Sequence, residues 1–193
     1  VNLTEAVGSG DGFRSNGDIS TNNHDSSEGN LANMFDGDAG SYFHASWHDY
    51  SFWRANQCYF IVNLHKEMAG LTWEWQNRSN GAGVPKIVEF WGSKDGENFT
   101  YMKTININPE TKGGAWNKME GIRYDADPTQ TFSYIKIWVK ECANSSHEYI
   151  CAAEFKLTEI NPIPEILDDG EPYDPNQDGW DVIPEIEVEP AVQ

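Results

Sequence analysis

Phe132–Lys140, which reads FSYIKIWVK, is the stretch that decides the fold. Ile135, Ile137 and Val139 alternate with Lys136, Trp138 and Lys140. A period of two places one set of side chains on each face of an extended strand. Working outward, Cys58–Leu64 (CYFIVNL), Gly70–Gln76 (GLTWEWQ), Lys86–Gly92 (KIVEFWG) and Tyr101–Ile107 (YMKTINI) are also rich in β-branched and aromatic residues. Ile150–Ile160 (ICAAEFKLTEI) reads the same way toward its end. Between two of these runs stands Asp95-Gly96, a hairpin signal, because glycine accepts a positive φ without steric strain. No stretch carries a long 3.6-residue period with caps. Many short strands separated by turns predict an all-β fold, a β-sandwich of jelly-roll type.

The totals narrow the function. The 193 residues suffice for one core and are short for two. Aromatic residues at 13%, with 8 Trp, belong to a packed domain rather than a disordered one. A formal net charge of −18 disfavours nucleic acid and anionic lipid as partners, since both want clustered Lys and Arg. No apolar run approaches the length of a membrane span, so no membrane insertion is expected. The chain opens on Val1 and shows no basic-then-apolar leader, as expected of a mature or excised fragment.

Composition shifts near Asn161. Beyond it lie 6 of the 9 prolines and a dense run of acids. Residues 1–161 are therefore expected to form the domain, and 162–193 an acidic, Pro-rich tail or linker. Cys58, Cys142 and Cys151 make neither a disulfide framework nor a zinc pattern. Cys142 and Cys151 either close a loop as a disulfide or remain buried thiols; the sequence leaves both open. Asn-x-Ser/Thr sequons occur at Asn2, Asn77, Asn98 and Asn144.

The segment from Asn33 to His44 (NMFDGDAGSYFH) is the most informative for function. Asp and Asn beside glycine form tight turns that bring their oxygens together. It is followed by an apolar strand, Gln76-Asn77-Arg78, Ser93-Lys94-Asp95-Gly96 and Ala152-Ala153-Glu154 before a last strand. In this order the motifs resemble the discoidin family, the coagulation factor V/VIII type C domains. Within it they are most similar to family 32 carbohydrate-binding modules and fucose-binding lectins. Three positions depart from the family pattern: Ser41 stands for Thr, Phe43 for Trp, and Asn77 for the Pro before arginine. Serine retains the hydroxyl ligand, and Phe43 retains a ring but loses an indole donor.

The resemblance implies a structural calcium ion. Its ligands would be the carbonyls of Asn33, Asp38, Ser41 and Ala153 with the side chains of Asp36, Ser41 and Glu154. Such an all-oxygen set suits a hard cation. The resemblance also implies a sugar site in which His44 and Arg78 read hydroxyls, both as donors, with Asn80 as a third partner. Sugars further need a flat ring against their C–H face. The loop Trp47-His-Asp-Tyr50-Ser-Phe52-Trp53 offers Trp47, Tyr50 and Trp53 for this, and Tyr149 is a second candidate. Each residue has a plainer reading. The tryptophans can fold back as a cap, His44 can be a core histidine, and Arg78 an ordinary ion-pair partner. A glycan on Asn77 would crowd this pocket.

The function expected is non-catalytic binding of a neutral glycan of galactose or fucose type. The module would serve a larger extracellular or cell-surface protein. The alternative is a discoidin-like protein–protein adhesion module. No nucleophile elbow, His-Glu-x-x-His, P-loop or dinucleotide fingerprint supports an enzyme.

Overall fold

Among the described residues of the computed structural model, 18–48, 55–143 and 149–160, ten strands form three sheets. They are β1 (Ile19–Thr21), β2 (Phe43–His44), β3 (Cys58–Met68), β4 (Leu71–Gln76), β5 (Pro85–Ser93), β6 (Thr100–Asn106), β7 (Trp116–Ile122), β8 (Phe132–Cys142), β9 (Cys151–Ala152) and β10 (Glu154–Glu159). One sheet has the order β1-β3-β8-β5-β6, a second β10-β4-β7, and β2 pairs with β9 in a small ribbon. Every pairing is antiparallel. The described residues contain no α-helix. The chain is an all-β sandwich, as its alternation predicts.

The period of two in β8 is realised. Ile135, Ile137 and Val139 are fully buried, while Lys136, Trp138 and Lys140 lie on the outer face. Opposite them, β4 buries Trp73 and Trp75, whose ring centroids are 4.5 Å apart. Trp73 packs on Phe155 of β10 at 5.6 Å and on Phe90 of β5 at 6.3 Å, so aromatic rings bridge the two sheets. Fully burying side chains of this size contributes roughly 1.5–3 kcal/mol each. Phe43, at the departure from the family's tryptophan, is fully buried against Phe60 at 5.1 Å. Asp95-Gly96 turns β5 into β6 as read, with Gly96 at φ +79°.

Three strands escape the sequence reading. β1 and β2 are too short to show a period, and β7 (WNKMEGI) lacks β-branched residues until its last position. β7 exists because its backbone completes the edge of β4. The last run also divides: β9 and β10 are separated at Ala153, whose N–H donates to Gln76 O at 2.8 Å. This break lets β9 pair with β2 while β10 pairs with β4.

All three cysteines are buried free thiols, so of the two readings left open the structure has the thiols. Burial pushes Cys58 and Cys151 up to about 12 and Cys142 well above its ordinary value. The expected tail at 162–193, and Tyr50, Trp53, Asn2 and Asn144, lie outside the described residues.

Candidate functional site

The β2–β9 ribbon brings residues early and late in the chain to one end of the sandwich. Phe43 faces Ala152 and His44 faces Cys151, and Ala45 N–H donates to Ile150 O at 3.0 Å. Two glycines permit the close approach. A Cβ on Gly29 (φ +64°) would lie 2.7 Å from Tyr42 O, and one on Gly83 (φ +66°) 2.4 Å from Cys151 N.

Residues just before β2 and just after β9 form an oxygen cluster. A 3-10 turn, Leu31–Met34, is capped by Asn30, whose Oδ1 accepts from Ala32 N–H at 3.0 Å. The loop after it folds on itself, with Asp38 N–H donating to Asp36 Oδ1 at 2.8 Å. Ser41 Oγ lies 2.7 Å from Asp36 Oδ2, 3.1 Å from Asp38 O and 3.2 Å from Asn33 O. Glu154, at the start of β10, accepts from Gly37 N–H. Its Oε1 is buried without a hydrogen-bond partner. Burial, then the charges of Asp36 and Asp38, raise the Glu154 carboxyl above its ordinary value, so these three acids share one neighbourhood. The structure thus brings Asn33, Asp36, Asp38, Ser41 and Glu154 together, with Ala153 adjoining Glu154 on the chain. Among the described residues no cluster of three or more His, Cys, Asp and Glu forms a metal-binding group; carbonyls make up much of this oxygen set.

A second cluster gathers around Glu28. Its Oε2 accepts from Tyr42 O–H at 2.5 Å, and its Oε1 accepts from Trp47 Nε1–H at 2.8 Å. Arg78 Nη2 lies 3.5 Å from Glu28 Oε2 and donates to Tyr42 Oη at 2.7 Å. The guanidinium sits 3.7 Å from the centre of the Tyr42 ring. Burial would raise the Glu28 carboxyl, but Tyr42, His44, Trp47 and Arg78 outweigh it and hold it below its ordinary value. Trp47 is 45% exposed, the open ring of the group.

His44 is only 2% exposed, beneath Tyr149 at 4.7 Å between ring centroids. Its Nδ1 lies 2.6 Å from Ala45 O, which can only accept, so Nδ1 carries the proton. Burial lowers its pKa, which favours the neutral ring. Nε2 is then an acceptor, 3.7 Å from Glu28 Oε1. His44 is thus a buried histidine, its Nδ1 engaged by Ala45 O and its Nε2 turned toward Glu28. Arg78 is an ion-pair partner of Glu28 in the same cluster. Trp47 is no buried cap. Asn80 is exposed, and its Oδ1 is engaged by Ala82 N–H at 3.0 Å.

Asn77 is 0% exposed. Its Nδ2 donates to Glu110 O at 2.7 Å and Lys112 O at 3.0 Å, and its Oδ1 accepts from Asn117 Nδ2. The sequon there is sealed in the fold, which removes the conflict between a glycan and the pocket.

Glu28 and Tyr42 were missed in the sequence. Glu28 sits in a Ser-Ser-Glu-Gly-Asn turn with no periodic signal, and only tertiary pairing singles it out. A Ser27–His48–Asp25 group also lies here, but not as a nucleophilic triad. Ser27 Oγ donates to Asp25 at 2.5 Å, and Asp25 and Ser27 both approach the same nitrogen, Nδ1, of His48. A serine nucleophile needs its hydroxyl directed at the far ring nitrogen. The site can hold a polar ligand beside a flat ring.

The F5/8 type C domain family matches residues 18–155. No curated protein sequence matches the chain. Among solved structures, CpGH89CBM32-5 from Clostridium perfringens, in complex with GalNAc-β-1,3-galactose, is 15% identical with a TM-score of 0.55, over 72% of this chain and 92% of that one. The family 32 CBM of C. perfringens NanJ, in complex with galactose, is 15% identical with a TM-score of 0.53, over 79% and 98%. CBM32-3 from a family 31 glycoside hydrolase of C. perfringens is 16% identical with a TM-score of 0.57, over 80% and 95%. At these identities the likeness is one of fold.

Proposed function

This chain belongs to the F5/8 type C domain family, and we propose that it binds neutral carbohydrate, without catalysis, at the loop end of its sandwich. The observation that carries this reading is the pairing of Glu28 with Arg78 beside the open Trp47 ring. A sugar hydroxyl both donates and accepts. A carboxylate acceptor next to a guanidinium donor reads its direction, and an indole face takes the C–H side of the ring. His44 Nε2 supplies a second acceptor from below. Glu28 also disfavours acidic sugars, whose charge it would repel. The fold neighbours in complex with galactose and with GalNAc-β-1,3-galactose support a sugar of this class.

A calcium ion completes the reading. Asn33, Asp38, Ser41 and Ala153 would hold it through carbonyls, and Asp36, Ser41 and Glu154 through side chains. Hard oxygens alone, a buried carboxylate oxygen without a partner and a raised Glu154 fit such a cation. When bound it supplies positive charge to three clustered acids and ties the early loop to β10. A site for one sugar has a dozen or so heavy atoms at about 0.3 kcal/mol each, or roughly millimolar affinity. Such a module works by avidity, as part of a larger extracellular or cell-surface protein.

The test is a glycan array read with calcium and with chelator, using the wild type, Glu28→Ala and Arg78→Ala. Binding to galactose-type glycans by the wild type and its loss in both variants is expected. A wild type that retains no neutral glycan in either condition ends the proposal.

A further inference from the structure

Asp25 is 1% exposed, and a buried carboxylate needs partners to stay ionised. It has them without any Lys or Arg among the described residues. Its Oδ1 accepts from Ser27 N–H at 2.9 Å and from Ser27 Oγ at 2.5 Å. Its Oδ2 lies 2.8 Å from His48 Nδ1 and accepts from Trp47 N–H at 3.3 Å. Its own N–H donates to His44 O at 2.9 Å. Burial would raise this carboxyl; the hydrogen bonds from Ser27, His48 and Trp47 prevail and hold it well below the usual carboxylate range.

These contacts join two loops that each carry a proposed ligand group. One runs from Asp25 to Glu28 and the other from Ala45 to His48. Glu28 follows Asp25 by three residues, and Trp47 is itself a donor to Asp25. The His48 ring, held by Asp25, lies 3.8 Å from the Trp47 ring, centroid to centroid, while the other end of the indole donates to Glu28. The Trp47 indole is thus fixed at three points, its main-chain N–H, its ring face and its Nε1. Asp25 governs the first two directly and sets the loop of the third.

We infer that Asp25 is a positioning residue for the sugar site, which through His48 and the Trp47 main chain fixes the indole against Glu28. This rests on the carbohydrate-binding reading. An amide is a poor replacement for the carboxylate, because each oxygen takes a backbone N–H, Ser27 at Oδ1 and Trp47 at Oδ2, so in either orientation the amide nitrogen would face a donor.

The experiment uses the full chain, its Asp25→Asn and His48→Ala variants, and both again in a Trp47→Ala background. Galactose affinity is measured by calorimetry, and the Trp47 indole N–H resonance by NMR without sugar. Asp25→Asn is expected to weaken galactose binding by roughly tenfold and His48→Ala by a few fold, with the Trp47 resonance displaced in both. In the Trp47→Ala background both changes shrink toward none, because the group they position is gone. Equal losses with and without Trp47, or an undisplaced indole resonance in folded Asp25→Asn, overturn the inference. If Asp25→Asn does not fold, His48→Ala, whose side chain is 55% exposed, decides by the same criteria. A wild type that binds no galactose counts against the sugar reading alone, since the indole resonance reports positioning without ligand.

Discussion

Around Ser41, carboxylate and carbonyl oxygens face one another with no Lys, Arg or His side chain pairing with Asp36, Asp38 or Glu154 among the described residues. Around Glu28, a hydroxyl, an indole and a guanidinium converge on one carboxylate. The two clusters share the β2–β9 ribbon, yet their electrostatics run in opposite directions. In the first, burial and like charges raise Glu154; in the second, donors and positive charge lower Glu28 against burial. A loop short of positive charge is suited to take up a cation. A loop whose charges already balance is suited to exchange one weak hydrogen bond for another, which a neutral hydroxyl can offer.

Removing divalent cations should separate the clusters most strongly. A cation present at one hundred times its dissociation constant stabilises the fold by about 2.7 kcal/mol. For a domain of this size that is worth about 2–4 °C of melting temperature per kcal/mol, or roughly 5–11 °C on chelation. Calorimetric melting of wild type and Glu154→Gln checks it: chelator should lower the first and hardly move the second. A wild-type melt indifferent to chelator removes the cation from the comparison.

Next in size is Arg78→Ala. It leaves Glu28 without its positive partner and takes away the donor to Tyr42, and losses of charged hydrogen bonds run at about 1.5–3 kcal/mol. Galactose binding should fall by at least tenfold while the chelator-sensitive melting step remains. Loss of both together would mean that the two loops are a single unit.

Trp47→Ala removes an exposed ring and should weaken galactose by about 1–2 kcal/mol, with little change in melting, since its area is only half covered. Unchanged affinity would assign the stacking surface elsewhere, with Tyr149 the first alternative.

The smallest effect is on pH. Burial holds the folded His44 pKa below its ordinary value of about 6.5, so its stabilising contribution is full above that value. It declines as pH falls toward the lower, folded value. Protonation gives Nε2 a hydrogen that pairs with Glu28 Oε1, and both acceptors are then lost to a sugar. Galactose affinity should therefore fall through the same acidic window. An Arg78-dependent affinity that stays flat there would exclude His44 as an acceptor.

Much of the fold could be read from sequence because alternation and burial obey one rule along β3, β4, β5 and β8. The rule has no purchase on β1 and β2, whose 3 and 2 residues are too few to show a period, or on β7, where burial alternates but Trp116 faces out and Asn117 faces in. The oxygen cluster was legible through Asn33–Ser41 because most of its members are neighbours in the chain. Glu28 was not, for the opposite reason. Its partners stand at positions 42, 44, 47 and 78, and nothing local distinguishes it from 30 other acids. Asp25 was hidden in the same way, since its role depends on a loop some twenty residues further on.

The three buried thiols give the molecule a built-in reporter of its own opening. Thiols pushed so far toward the neutral form present almost no nucleophile to an alkylating reagent while the core is closed. Each would be modified only in molecules that have opened around it. A mass spectrum taken after a brief pulse of reagent would then count open and closed chains directly, and a fourth cysteine introduced on the surface would carry a label alone.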